Sequence, residues 1–412
     1  MSAYFPERCM TIIHEVNDYY SERNSDLMFH TITTFIKKEN VLCIAALLAV
    51  ISMFFVPPSP AYLAYIDFRV LALLFCLMLV VAGFQSIGFF RYLGNRLLSG
   101  AKDTRTLCLL LTGLCFFSSM FITNDVALIT FVPFAVLLFS MAEQTSLLIP
   151  VIVLQTIAAN LGSMLTPVGN PQNLYLYSAF SLSMGSFLLS MLPVSALSAL
   201  LLLLAIFLLP NTALSFSDDS DEQREASSQE TAFPSVGKLI TFTGLFAVCL
   251  LCVLRLIPWQ AMLLFIIIAV FFSDKTLFAS VDYFLLLTFV AFFLFIGNME
   301  RIPAVSSCLT NVLEGRELLL GVLLSQGISN VPAAILLSGF TKNCLPLLYG
   351  VNIGGLGTLI ASLASLISYR LYGNCSFARK GKYLKTFTAY NLIFLVILYG
   401  FTSLLLKLSF SL

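Results

Sequence analysis

Four polar stretches interrupt otherwise apolar sequence in this chain: Thr123-Asn124-Asp125, Asn160 to Asn173, Ser329-Asn330-Val331-Pro332 and Asn352 to Ser362. Asn and Thr bring uncharged side-chain oxygens and donors, Gly lets a helix unwind, and Pro removes a backbone donor. The second and fourth stretches align without a gap, so that Asn160, Gly162 and Thr166 fall on Asn352, Gly354 and Thr358. Each follows a shorter stretch that holds an Asn, Asn124 or Asn330. Unwound carbonyls and half-helix N-termini offer negative and positive ends, so such a set can hold a small cation and an anion without Lys or Arg. The alternative is ordinary Gly and Thr packing between helices. The twofold pattern argues for an ion site. Asp125 is the one carboxylate set deep in apolar sequence; it can carry a coupling proton, bind a cation, or cap the helix that follows it.

The elements that position these residues must lie in a membrane. Of 412 residues 59% are hydrophobic and 10% charged, with 38 Phe, net charge +1 and mean hydropathy +0.96. A soluble domain has roughly 25% charged residues. The composition excludes a soluble globular protein, and the net charge excludes a nucleic-acid binder. Ten of the 43 charged residues precede Asn40 and eight fall between Asn211 and Lys238, which empties the remainder further. The expected fold is an all-α polytopic membrane protein. Apolar runs lie at Val41 to Val56, Phe68 to Gly83, Ser186 to Leu209, Leu239 to Leu254, Trp259 to Phe272, Tyr283 to Ile296 and Phe387 to Leu406. Segments 106–140 and 318–340 read as re-entrant hairpins with polar tips, and 147–179 and 347–372 as broken helices.

The order span, span, surface helix, hairpin, broken helix, span therefore occurs twice, which predicts two inverted-topology repeats. The expected division is a cytoplasmic tail (1–39), a first repeat (40–210), a cytoplasmic acidic linker (211–238), an extra crossing (239–257) that turns the second copy over, and a second repeat (258–412). Basic residues set the orientation. Arg91, Arg96, Lys102 and Arg105, then Arg379, Lys380, Lys382 and Lys385, mark cytoplasmic loops, with the N-terminus cytoplasmic and the C-terminus outside. The linker reads as a solvated connector. His14 and His30 lie in the tail, and the ten Cys are scattered through apolar runs, where a free thiol acts as a small hydrophobe. No nucleophile, base or metal constellation and no nucleotide-binding loop is present, so an enzyme or a direct ATP-driven pump is not expected.

Thr123-Asn124-Asp125 with the apolar helix that follows and its Pro133, then the Thr166 to Asn173 run, resembles the first repeat of the ion transporter superfamily. That group holds citrate and dicarboxylate permeases of the divalent-anion/sodium symporter family, arsenite efflux permeases and a class of sodium/proton antiporters. Ser329 to Pro332 and Gly354 to Ser365 resemble the second repeat, and the similarity runs from about Asn40 onward. The resemblance implies a scaffold domain and a mobile transport domain, elevator-type alternating access, a homodimer in the plasma membrane, and substrate and coupling ion held between two tips. Dicarboxylate members carry Ser-Asn-Thr at both tips. Here Asp125 and Val331 stand where Thr would be, and the tips look closer to the arsenite branch, although no thiol cluster for arsenite is evident.

The expected function is secondary active transport of a small anion (citrate, dicarboxylate or inorganic oxyanion) coupled to Na+ or H+. Thr123, Asn124, Asn170, Asn173, Ser329, Asn330 and Ser362 are the expected substrate contacts. Asp125, Asn160, Gly162, Thr166, Asn352, Gly354 and Thr358 are the expected coupling-ion positions, with bound Na+ as the one metal considered and no other cofactor. Arsenite efflux, or Na+/H+ exchange centred on Asp125, stands as the alternative.

Overall fold

A computed structural model of the chain describes residues 39–98, 101–214 and 235–409. The expected tail with His14 and His30, and most of the expected 211–238 linker, lie outside the described residues. Among the described residues the chain is all α, with short 3-10 turns, one isolated bridge and no β-sheet. Nine helices among the described residues are long and apolar enough to cross a membrane.

The first half runs α1 (Asn40–Phe55), α2 (Phe68–Ser86), α3 (Phe89–Leu98), α4 (Thr104–Ile122), α5 (Asn124–Met141), α6 (Leu148–Ser163), α7 (Pro171–Ala179) and α8 (Met184–Phe207). After α9 (Val236–Val253) come α10 (Trp259–Asp274), α11 (Tyr283–Glu300), α12 (Pro303–Leu313), α13 (Glu317–Ile328), α14 (Asn330–Ser338), α15 (Cys344–Ile353), α16 (Leu363–Gly373) and α17 (Lys380–Ser409). With α9 set aside, the two orders correspond element by element. Even the caps recur. Asp67 accepts from the Val70 N–H at the start of α2, and Asp282 accepts from the Leu285 N–H at the start of α11, each after a 3-10 turn.

Packing is exchanged between the halves in matching pairs. Helix α1 packs on α11 as α10 packs on α2, α5 on α16 as α14 on α7, and α6 on α16 as α15 on α7. The tightest neighbours of the two tips are α4 with α6 and α13 with α15. Both contacts depend on a missing side chain. A Cβ on Gly162 would lie 2.0 Å from the Phe116 carbonyl oxygen, and one on Gly350 would lie 2.6 Å from that of Leu318.

Helix lengths differ between the halves. Helices α4 and α5, with 19 and 18 residues, are each about 27–28 Å long, whereas α13 and α14, with 12 and 9, reach only about 14–18 Å. The second pair is too short to cross a core of about 30 Å. Two helices outrun their apolar segments: α11 continues to Glu300, and α17 begins at Lys380 rather than near Phe387. Lysine stems can lie along the helix while their charges reach the headgroup layer, so a helix continues where its apolar run has ended.

The base of α4 is stitched to the chain leaving α8. Thr104 N donates to Thr212 O at 2.9 Å and Leu214 N to Lys102 O at 3.1 Å, which puts these two connections at one end of the molecule. Asp103 caps α4 through the Thr106 N–H at 2.9 Å and its hydroxyl at 3.0 Å. Those bonds, the backbone one foremost, hold the Asp103 carboxyl below the usual carboxylate range.

The contrast between two glycines tests the α4–α6 contact. Gly162→Ala drives a methyl into a backbone carbonyl and is expected to destabilise by about 1–3 kcal/mol. Gly113→Ala, where an added methyl meets open space, is expected to be neutral or to stabilise by roughly 0.5–1 kcal/mol. Apparent Tm of the two purified variants in detergent checks the pair; equal values would mean that α4 and α6 do not approach so closely.

Candidate ion-binding site

Both tips are built in the same unusual way. Thr123 (φ 69°, ψ 150°) and Ser329 (φ 74°, ψ 155°) lie in backbone space that L-residues seldom occupy. Each costs of order 1–3 kcal/mol and persists only because its surroundings enforce it. What the conformation achieves is placement: Asn124 and Asn330 become the first residues of α5 and α14, and both side chains are buried.

Asn124 reaches across to the first broken helix. Its Oδ1 accepts from the Asp125 N–H at 3.0 Å, which fixes the amide's orientation and leaves Nδ2 to donate to Asn160 Oδ1 at 2.9 Å. Ser362, which precedes α16, donates to the same oxygen at 2.9 Å. Three expected site residues from three elements therefore meet at one atom. The consequence falls on the other end of Asn160: its Nδ2 is a buried donor without a hydrogen-bond partner, on a residue only 4% exposed. An unsatisfied buried donor costs about 1–3 kcal/mol, and a ligand acceptor is one way to remove that cost.

A second chain of amides joins the halves. Asn170 caps α7 by accepting from the Asn173 N–H at 2.9 Å, so its Nδ2 faces Ser163 Oγ at 3.2 Å and Asn352 Oδ1 at 3.3 Å. Asn352 in turn donates to Asn173 Oδ1 at 2.7 Å, and Asn173 Nδ2 donates to the carbonyls of Met164 at 3.1 Å and Thr166 at 3.2 Å. Every orientation follows from a backbone N–H at one end. The carbonyls freed where α6 stops are thus met by a side chain, as a helix broken inside protein requires.

Thr166 and Thr358, matched in sequence, are matched in contact. Each donates its hydroxyl to the carbonyl three residues before a tip, Thr166 to Met120 and Thr358 to Gln326, the latter at 3.0 Å. Thr166 is half-buried and Thr358 exposed. At the second tip, the backbone N–H of Asn330 donates to Ala361 O at 3.0 Å, and its Nδ2 lies against Gly355, where a Cβ would sit 2.9 Å away. Ser329 Oγ lies 3.4 Å from the same Ala361 oxygen. Gly354 is enclosed by Gly350 O and Ser325 Oγ, which an added Cβ would meet at 2.6 and 2.8 Å. Asp125 makes no side-chain bond to these residues; it is half-buried with Oδ1 enclosed and unpartnered.

Three side chains at the site are absent from the sequence-based set. Ser163 links Asn170 Nδ2 to the Asn160 carbonyl, to which it donates at 2.9 Å. Gln155, fully buried, braces α5 by donating to Phe131 O at 3.1 Å. Gln326 donates to Gly354 O and Leu356 O, both at 2.9 Å. The available signal was a lone Gln in apolar helix, one turn before a tip in the case of Gln326. No cluster of His, Cys, Asp and Glu able to hold a metal occurs among the described residues, and none of the expected site residues is Lys or Arg.

Residues 31–343 match the family described as Citrate transporter (CitMHS). The chain is 33% identical over 328 residues to the inner membrane protein YbiR of Escherichia coli, covering 77% of this chain and 84% of that one. It is 32% identical over 309 residues to the uncharacterized transporter MJ0456 of Methanocaldococcus jannaschii, covering 74% and 81%. A shorter match, 35% over 130 residues, covers 32% of this chain and 26% of the silicon efflux transporter LSI3 of Oryza sativa subsp. japonica. With that family, these relatives and nine apolar helices of crossing length among the described residues, the chain is a multi-pass membrane transporter of small ions rather than an enzyme, and it belongs to the CitMHS citrate transporter family of the ion transporter superfamily.

Proposed function

We propose that the protein is a secondary active transporter of a small anion, either a citrate- or dicarboxylate-type carboxylate or an inorganic oxyanion, coupled to Na+ or H+. The observation that carries this reading is the oriented, buried Nδ2 of Asn160, a donor with no acceptor where Asn124 and Ser362 converge. An anion's oxygen satisfies it. Thr123, Asn124, Asn160, Ser329, Asn330 and Ser362 contact the substrate, while the amide chain through Asn170, Asn173 and Asn352 keeps the two halves in register. Asn160 thereby moves from the coupling-ion set to the substrate set.

In this reading the halves are inverted repeats whose tips meet within the bilayer, and α4–α8 with α13–α17 move as a transport domain against a scaffold of α1, α2 and α9–α11. Ser178 Oγ to Asp67 Oδ2 at 3.1 Å and Tyr177 OH to Val253 O at 3.1 Å are bonds between those two groups of helices that such a motion must break. The stitch between the base of α4 and the end of α8 agrees with both loops being cytoplasmic. We place the protein in the plasma membrane with its N-terminus inside and C-terminus outside, as a homodimer.

Two observations favour narrower readings. A site of uncharged donors suits a weakly charged oxyacid as well as a full anion, and one relative is named for silicon efflux. The enclosed, unpartnered Oδ1 of Asp125 suits a proton or cation carrier, and so Na+/H+ exchange.

Thermal stabilisation of the purified protein by citrate, succinate, phosphate, sulfate and arsenite, each with Na+ or K+ at two pH values, tests the class of substrate. Stabilisation by at least one anion is expected; a response to Na+ or pH alone would hand the function to exchange at Asp125. Asn124→Ala, Asn160→Ala and Asn330→Ala are expected to weaken that anion's binding roughly 10- to 100-fold, since a bond to a charged group is worth about 1.5–3 kcal/mol. Unchanged affinity in all three would remove the tips from the site. For Asp125→Asn, proteoliposome uptake measured from pH 5.5 to 8 should lose its pH dependence, and a profile parallel to the wild type would return Asp125 to helix capping.

A further inference from the structure

The sequence offers two equivalent loops for coupling cations, one after Asn160 and one after Asn352. Their interiors differ. In the second, the side-chain amide of Gln326 sits inside the loop: Nε2 donates to Gly354 O and Leu356 O, both at 2.9 Å, and to Val322 O of its own helix at 3.2 Å. The Thr358 N–H donates to Gln326 Oε1 at 2.8 Å. A backbone N–H can donate only to the oxygen end, so it is the NH2 end that faces the carbonyls. The loop is shaped around this group. Gly357 has φ +109°, and a Cβ there would lie 2.2 Å from Gln326 Oε1.

The first loop has no such occupant from its hairpin. Position 120, three residues before Thr123 as Gln326 is three before Ser329, is Met, which has no donor. Thr166 and Thr358 still mark the equivalence, each bonded to the carbonyl of that position. The first loop's carbonyls at Met164 and Thr166 are instead met from α7 by Asn173 at 3.1 and 3.2 Å, while the carbonyl of Gly162, the counterpart of Gly354, accepts the backbone N–H groups of Met164 and Leu165 and no side-chain donor.

Building on the transporter reading above, we infer that Gln326 is a tethered substitute for a cation: its amide hydrogens fill the second loop permanently, so that this chain takes no coupling cation there and at most one in all. Two carbonyl oxygens aimed at one point repel each other and need a positive partner between them. A cation that binds and leaves supplies it only in the loaded state. An amide held on α13 supplies it in every state, and the second half then closes without an ion.

The test is a count of Na+ bound per purified full-length chain, by calorimetry and by apparent Tm in NaCl against choline chloride at fixed ionic strength. Wild type is expected to bind no more than one. Gln326→Met, which gives the second loop the residue of the first, and Gln326→Glu, which puts a carboxylate oxygen against the same carbonyls, are each expected to bind one more Na+ than wild type. Their apparent Tm should rise by at least about 2 °C in NaCl beyond any rise in wild type. Two Na+ on the wild type, or folded variants that bind no more than wild type does, would overturn the inference. Should neither variant fold, the wild-type count alone decides, one or none upholding it and two refuting it. A chain that responds to no anion yet shows this difference in Na+ count would end the anion-transport reading and leave the role of Gln326 standing.

Discussion

A helix that breaks inside a protein exposes carbonyl and amide groups that neighbouring side chains, backbone or enclosed water must meet. Where α6 stops, Asn173 supplies a donor to Met164 O and Thr166 O; where α15 stops, Gln326 supplies one to Gly354 O and Leu356 O. The rest follows from where those amides are rooted. The Asn173 side chain is oriented by Asn352, which itself accepts from Asn170, so the first break is held partly from the second half. Gln326 stands on α13, so the second break is held by its own hairpin.

This difference gives the two halves different mechanical characters. The strained tips at Thr123 and Ser329 carry equivalent Asn residues, but only Asn124 reaches an amide oxygen of the broken helix, that of Asn160. Asn330 bonds through its backbone to Ala361 and rests its side chain on Gly355. The site is therefore asymmetric, with a side-chain donor left open on Asn160.

Much of this was legible in the sequence because polar residues are rare in it. The register of Asn160, Gly162 and Thr166 against Asn352, Gly354 and Thr358 stands out from apolar surroundings, and the positions of both tips follow from the same contrast. Partnerships were not legible. Nothing in a one-dimensional pattern pairs Asn170 with Asn352, or makes Asn124 and Ser362 share one oxygen, because those contacts depend on how five helices cross. Nor did residue type announce the tips' backbone: φ near 70° is glycine's territory, and Thr and Ser hold it here. Gln326 escaped notice because one Gln in a helix has many uses, and its role is fixed by Gly357 thirty-one residues later.

The amide chain also sets a timetable for biogenesis. Asn170 and Asn352 are 182 residues apart. At about 5–20 residues per second, roughly 9–36 s of translation separate them. Throughout that interval the Asn173 side chain lacks the Asn352 donor that orients it, and Asn170 lacks Asn352 as an acceptor. Until α15 arrives, the first half has only the bonds made within it, such as Asn124 to Asn160, to hold these amides. Ribosome pausing or premature truncation between Ala179 and Asn352 therefore exposes this protein at its least finished point.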